Sequence, residues 1–195
     1  MKHKLWFAGI FVAAAGLWLA FSDPSMNWRE EVQLQSGEVI VIKRTAKFSE
    51  NWIAGGGGGS FNRGMTIDFD SPDKPDNPTV WSSLYDPLII DQDPITKEWL
   101  IIATFTHCDG WYNIGRPKLP YTEYIFRNGK WEQGTLNPNL IGRLANLLLV
   151  DPSEIKTINS SRPIVKIADK QKRITARPGI PPKYKSILNE WTTGC

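Results

Sequence analysis

The chain has 195 residues, 41% hydrophobic and 22% charged, with 14 Pro and 16 Gly. That is globular composition with room for one ordinary domain, and it excludes a disordered, collagen-like or coiled-coil chain. The net charge of +3 does not mark a nucleic-acid protein, although its spread is uneven: 11 basic against 16 acidic side chains over 23–142, then 10 against 4 over 143–195.

Lys2 and Lys4 open the chain, and Leu5 to Phe21 is then 17 residues without a charge. An export signal carries an apolar stretch of about 7–15 residues, and a spanning helix needs about 17–25. Residues 1–22 are therefore expected to be a signal peptide, released after Ala20-Phe21-Ser22, or a retained membrane anchor spanning residues 5–21. Both readings keep the two lysines inside under the positive-inside tendency. Residues 23–195 then form a single β-rich domain outside the cytoplasm, in the periplasm or anchored to the outer side of the inner membrane.

Past this segment, short strands broken by turn residues dominate. Val32 to Gln35 alternates apolar and polar, Ser36-Gly37 turns the chain, and Val39 to Ile42 runs back as a strand apolar on both faces. Gly55 to Gly59 is followed by Ser60, Phe61 and Asn62. Without a Gly-Lys-Ser/Thr ending and a helix behind it, this run lacks the phosphate-cradling fingerprint and reads as a hairpin tip or linker, with nucleotide binding the minority reading. Met65 to Asp70 alternates as a half-buried strand. The prolines Pro72, Pro75 and Pro78 mark a turn-rich loop after it. Leu88 to Ile90 is a short buried strand. Trp99 to Thr106, β-branched and aromatic on both faces, should be central. Tyr121 to Arg127 and Lys130 to Glu132 flank Asn128-Gly129, the favoured two-residue hairpin turn, because both central positions need positive φ.

One helix is predicted over about 138–149. Asn137 is its N-cap, Pro138 its first position, and Leu140, Ile141, Leu144, Leu147 and Leu148 its apolar stripe. The basic C-terminal segment, 153–195, is weaker in pattern. Pro163 to Ala168 suggests a strand, and Pro181-Pro182 a helix start. The expected fold class is mostly β or α+β: an antiparallel, hairpin-built sheet with one or two packing helices, preceded by the N-terminal hydrophobic helix.

The chemistry is sparse. His107 is the sole histidine past the export segment, so a histidine-dependent hydrolase must centre on it, with Asp109 or Asp86 as helper. Neighbours in an extended chain point to opposite faces, which keeps His107 and Cys108 from pairing easily. Cys108 and Cys195 are the two cysteines, and an oxidising compartment permits a bridge between them. Metal-ligand spacing is absent. The Asp68, Asp70, Asp73, Asp76 group and the Asp91, Asp93 pair lack the glycine and terminal glutamate of a calcium loop, so no metal is expected. Nothing in the sequence points to a cofactor. Trp52, Trp81 and Trp111 lie near turns and are the candidates for an exposed, sugar-stacking surface. The leading expectation is an envelope protein that binds another macromolecule without catalysis, in its most concrete version an inhibitor- or immunity-type protein. A small hydrolase and a carbohydrate-binding domain are the rivals.

Overall fold

The computed structural model describes residues 25–53, 57–71, 74–149, 164–176 and 179–192. For 49–53, 57–62, 71, 74–78, 174 and 175 it describes the backbone alone. The predicted signal or anchor segment lies outside these residues. Among them, no helix is long and apolar enough to cross a membrane.

The described chain is mostly β, in two antiparallel four-stranded sheets rather than the single sheet expected from sequence. The first sheet is the meander β1 (Ser25–Gln33), β2 (Val39–Ile53), β3 (Gly57–Ser71) and β4 (Lys74–Ser83), and the second is β5 (Asp86–Gln92), β6 (Trp99–Thr104), β7 (Tyr121–Arg127) and β8 (Lys130–Gly134). Strand order equals chain order in both. Two residues, Leu84 and Tyr85, separate β4 from β5, so the end of the first sheet that holds Ser83 adjoins the end of the second that holds Asp86.

The inner faces of the two sheets share one core. Trp28, Val32, Ile42, Ala46, Met65, Ile67 and Trp81 meet Ile90, Trp99, Ile101, Ala103 and Tyr124 there. Phe69 and Trp99 pack edge to face with centroids 4.6 Å apart, and Trp81 and Tyr124 do so at 5.3 Å. Such pairs add directional attraction to the large area that aromatics bury. Every residue of β6 is buried, as the two-sided apolar pattern predicted. Leu100 and Ile102 face a second core with Leu88, Ile89, Tyr121, Leu140 and Ile187. Residues 136–145 and 184–188 thus cover the outer face of the second sheet, as a thin third layer, while Leu147 and Leu148 turn into the core between the sheets.

The hairpins follow their turn chemistry. Asn128 (φ 52°) and Gly129 (φ 79°) both adopt the left-handed region that the β7–β8 turn demands. Gly57, Gly58 and Gly59 pair with Ile53, Trp52 and Asn51, so these glycines belong to a strand. β4 carries Pro75 and Pro78 where sequence suggested a loop. It is an edge strand, and an edge tolerates residues that cannot donate to a ladder.

The helix predicted over 138–149 does not form. A 3-10 turn covers Pro138–Leu140 and ends there. Gly142 takes φ +85°, and the following amide and carbonyl groups bond elsewhere. Gly142 N donates to Ile187 O, Ala145 N to Lys185 O, and Asn146 N and Leu147 N to Leu88 O. Leu140, Leu147 and Leu148 are buried, but Leu144 is 75% exposed, which a stripe packed on the sheet would not allow. Pro182–Tyr184 is likewise a single 3-10 turn before an extended segment. Two helices went unforeseen: α1 (Cys108–Asn113) and α2 (Ile167–Ala176). Val165, read as strand, makes one parallel bridge to Glu30 of β1, and α2 follows it directly.

Candidate functional site

The residues singled out for chemistry gather where β6 leaves the sheet. Asp86 opens β5 and pairs in register with Thr104. Two residues on, the Thr106 hydroxyl donates to Asp86 Oδ2 at 2.5 Å. His107 then precedes α1, is exposed, and makes no side-chain cap bond. Asp109 is exposed and accepts from Gly110 N at 2.9 Å. Gly110 is required here, since a Cβ would stand 2.7 Å from the Cβ of buried Phe105. That close approach lets α1 lie on the strand exit.

The C-terminal segment closes over the same place. Lys183 Nζ donates to Phe105 O at 2.8 Å and stands over the Phe105 and Tyr184 rings at 4.6 and 5.0 Å. Burial pulls the Lys183 amine below the ordinary lysine range, and the Asp86 carboxylate offsets only part of this. The Tyr184 phenol is pushed up to about 12 by burial and the nearby Asp86 charge, against a hydrogen bond with Thr106. Tyr121 OH is also raised to about 12 by burial. It faces Ser186 O at 3.0 Å and accepts from Leu188 N at 3.2 Å, clipping the segment to β7. Trp191 then packs on Phe105 and Trp111, with centroids 5.5 and 6.2 Å away.

Outside these contacts lies an open groove of about 380 Å³, lined by Pro181, Pro182, Lys183, Leu188, Glu190, Trp191 and Thr192. Asp86, His107 and Asp109 are not in its lining. The strand exit therefore holds the three candidates of the hydrolase reading without placing them around this groove. Asp86 is tied to the Thr106 hydroxyl, which fastens the start of β5 to the exit of β6.

The predicted aromatic surface needs correction. Trp81 is 1% exposed in the shared core, and its Nε1 finds no acceptor among the described residues. It cannot offer a face to a ligand. Trp111 is half-buried against Trp191, and its Nε1 donates to Pro117 O at 3.0 Å. The Trp52 side chain lies outside the described residues. So does Cys195, the proposed partner of Cys108. Among the described residues no group of three His, Cys, Asp or Glu side chains could hold a metal ion. Asp68 faces Lys43 at 3.7 Å, and the carboxylate of Asp93 accepts from Ile95 N and Thr96 N in its turn. The Asp73 and Asp76 side chains lie outside the described residues.

Sequence reasoning missed Trp191, Lys183 and a buried charge network. Glu30 is 0% exposed and accepts from Arg44 Nη1 (2.8 Å), Lys170 Nζ (3.0 Å), Leu148 N (2.8 Å) and Trp28 Nε1 (3.2 Å). Arg44 lies over the Trp28 ring at 4.7 Å. Burial would raise the Glu30 pKa, but the adjacent Arg44 and Lys170 cations outweigh it and hold the carboxyl below its ordinary range. Lys170 is drawn down by burial, with Glu30 pulling the other way. A second buried carboxylate, Asp91, pairs with Arg143 and accepts from Gln35 N at 3.1 Å. These networks bolt the covering segments and α2 to the sheets. Their signal was strand parity: Glu30 sits between Trp28 and Val32, and Arg44 between Ile42 and Ala46, on the face that alternation turns inward. No protein-family model matches the chain, and no curated protein or solved structure matches it either.

Proposed function

We propose that this is an exported or membrane-anchored envelope protein whose β-rich domain binds another macromolecule without catalysis, in the manner of an inhibitor or immunity protein. The observation that carries the reading is the open groove formed by Pro181, Pro182, Lys183, Leu188, Glu190, Trp191 and Thr192. Its backbone is pinned to β7 by Tyr121 and its aromatic wall is braced by Phe105 and Trp111. Preformed, rigid aromatic walls lower the entropy cost of binding, and Trp is a common anchor at protein interfaces. Lys183 and Glu190 supply opposite charges in one groove, which favours a peptide-like surface over a purely apolar ligand.

The oxidising compartment supplies the remaining element, a Cys108–Cys195 disulfide. Cys108 and Cys195 are the two cysteines of the chain. Trp191, four residues before Cys195, already packs beside α1, whose first residue is Cys108. Four residues of chain reach about 13 Å, enough to bring the sulfurs together. The bridge would hold the groove wall against α1.

The test is site-specific photo-crosslinking of the full chain in its native envelope. A photoactivatable residue at Thr192 should give one dominant protein adduct, lost on Trp191→Ala, while the same residue at Ile95 gives none. No adduct at Thr192, with ester or peptide hydrolysis that disappears in His107→Ala, would replace this reading by the hydrolase.

A further inference from the structure

We propose that the end of the sandwich from which β1 starts lies against the lipid bilayer, with Leu84 and Tyr112 at the headgroup level. This rests on the reading of residues 5–21 as a retained membrane anchor.

Strand register defines that end. Ser25 opens β1 opposite Lys47, and Ala46 continues the row to Met65 and Ser83. Leu84 and Tyr85 lead directly into Asp86, and Asp86 pairs with Thr104, which pairs with Tyr121. The start of β1, the β4–β5 connection, the exit of β6 and α1 are thus all at one end. The turns at 34–38, 93–98 and 128–129 are all at the other, where Gln35 N meets the Asp91 carboxylate.

Chain length then limits the gap. Between Phe21, the last residue of the apolar run, and Ser25 there are four residue steps. Four extended steps span at most about 14 Å. The end bearing Ser25 therefore cannot stand farther than that from the bilayer. β2 and β3 also run past Lys47 and Gly64 at this end, pairing with each other from Phe48 opposite Asn62 to Ile53 opposite Gly57. Six paired residues extend about 20 Å. Continued along the strand axis past the irregularity at Lys47/Phe48, a ribbon of that length crosses a gap of about 14 Å and reaches the headgroups.

The side chains described here suit that surface. Leu84 is 67% exposed and Tyr112 is 45% exposed. The Arg116 guanidinium lies over the Tyr112 ring at 4.8 Å, and Lys118 follows it, exposed. Amphipathic aromatics and basic residues are what an interface takes up. Asp109 is the one acid on α1. Ile95, 89% exposed, provides the internal control. It lies in the turn beyond the far end of β5, a strand of seven residues, which places it about 23 Å farther from the bilayer.

The experiment uses the full chain reconstituted in vesicles of phosphatidylethanolamine and phosphatidylglycerol, with a photoactivatable residue at Leu84, Tyr112 or Ile95. Vesicle flotation and the thermal melt of each variant are recorded alongside. The expected result is a lipid adduct yield at Leu84 and at Tyr112 several-fold above that at Ile95. Chain that floats with the vesicles but labels no better at Leu84 and Tyr112 than at Ile95 overturns the orientation and leaves the anchor standing. Chain that stays at the bottom of the gradient overturns the anchor, and the orientation with it.

Discussion

Replacing Glu30 by Gln tests the buried network at its centre. Four donors converge on this carboxylate, two of them cations, and Glu30, Arg44 and Lys170 are all at most 5% exposed. Glu30→Gln keeps the size and removes the charge, leaving Arg44 and Lys170 as buried cations facing each other. Breaking a buried pair in this way costs about 3–5 kcal/mol, a large share of the roughly 5–15 kcal/mol that holds a domain folded. Urea unfolding of the full chain in detergent, followed by tryptophan fluorescence, should show the midpoint fall with the slope unchanged. The triple replacement Glu30→Leu, Arg44→Met, Lys170→Met should recover most of the loss, because it leaves no uncompensated charge. The pH dependence has a fixed sign. The folded pKa of Glu30 lies below 4.5, so its contribution is complete above 4.5 and disappears as the pH falls through the folded value. A Glu30→Gln loss under about 1 kcal/mol, or a triple variant no better than the single one, would refute the network as a fastening built on paired charge.

Gly110→Ala puts a methyl group 2.7 Å from the Phe105 Cβ and should cost about 1–3 kcal/mol by overpacking, read as a lowered thermal midpoint. Tyr121→Phe strands Leu188 N without its acceptor, so a loss of about 1–3 kcal/mol and a looser groove, seen as altered Trp191 fluorescence, should follow. The Cys108–Cys195 bridge would close a loop of 195 − 108 = 87 residue steps, worth about 4–5 kcal/mol at most. Cys108→Ser and reduction should then lower stability alike, and denatured chain should yield thiols only after reductant. Equal thiol counts with and without reductant would exclude the bond.

The parts of the fold legible in the sequence were those set by local chemistry. Asn128-Gly129 placed its hairpin because few residue pairs adopt two positive φ values without strain. Trp99 to Thr106 showed itself as a central strand because both faces are apolar, and β6 takes up its first six residues, Trp99–Thr104. Segments whose conformation depends on distant partners were not legible. Leu140, Leu144 and Leu147 have helical spacing, yet Gly142 and the bonds to Leu88, Lys185 and Ile187 pull the backbone straight. The prolines of β4 read as loop, because edge position is a property of the whole sheet. At the site, Asp86, His107 and Asp109 were found through their types and their place at a strand end. The groove was not, since Trp191 and Lys183 lie about eighty residues away in a segment with weak periodicity (191 − 111 = 80 for the Trp pair). Glu30 and Arg44 escaped notice because charge suggests solvent, whereas strand parity turned both inward; Lys170 read as part of a basic run facing lipid head groups, the acidic body of the chain or solvent, and it is buried against Glu30.

Everything functional depends on the domain being carried out of the cytoplasm. Alkaline phosphatase, which is active only where disulfides form, can be fused after Cys195 and assayed in intact cells. The account predicts an active fusion. An inactive one, paired with an active β-galactosidase fusion at the same position, would contradict it.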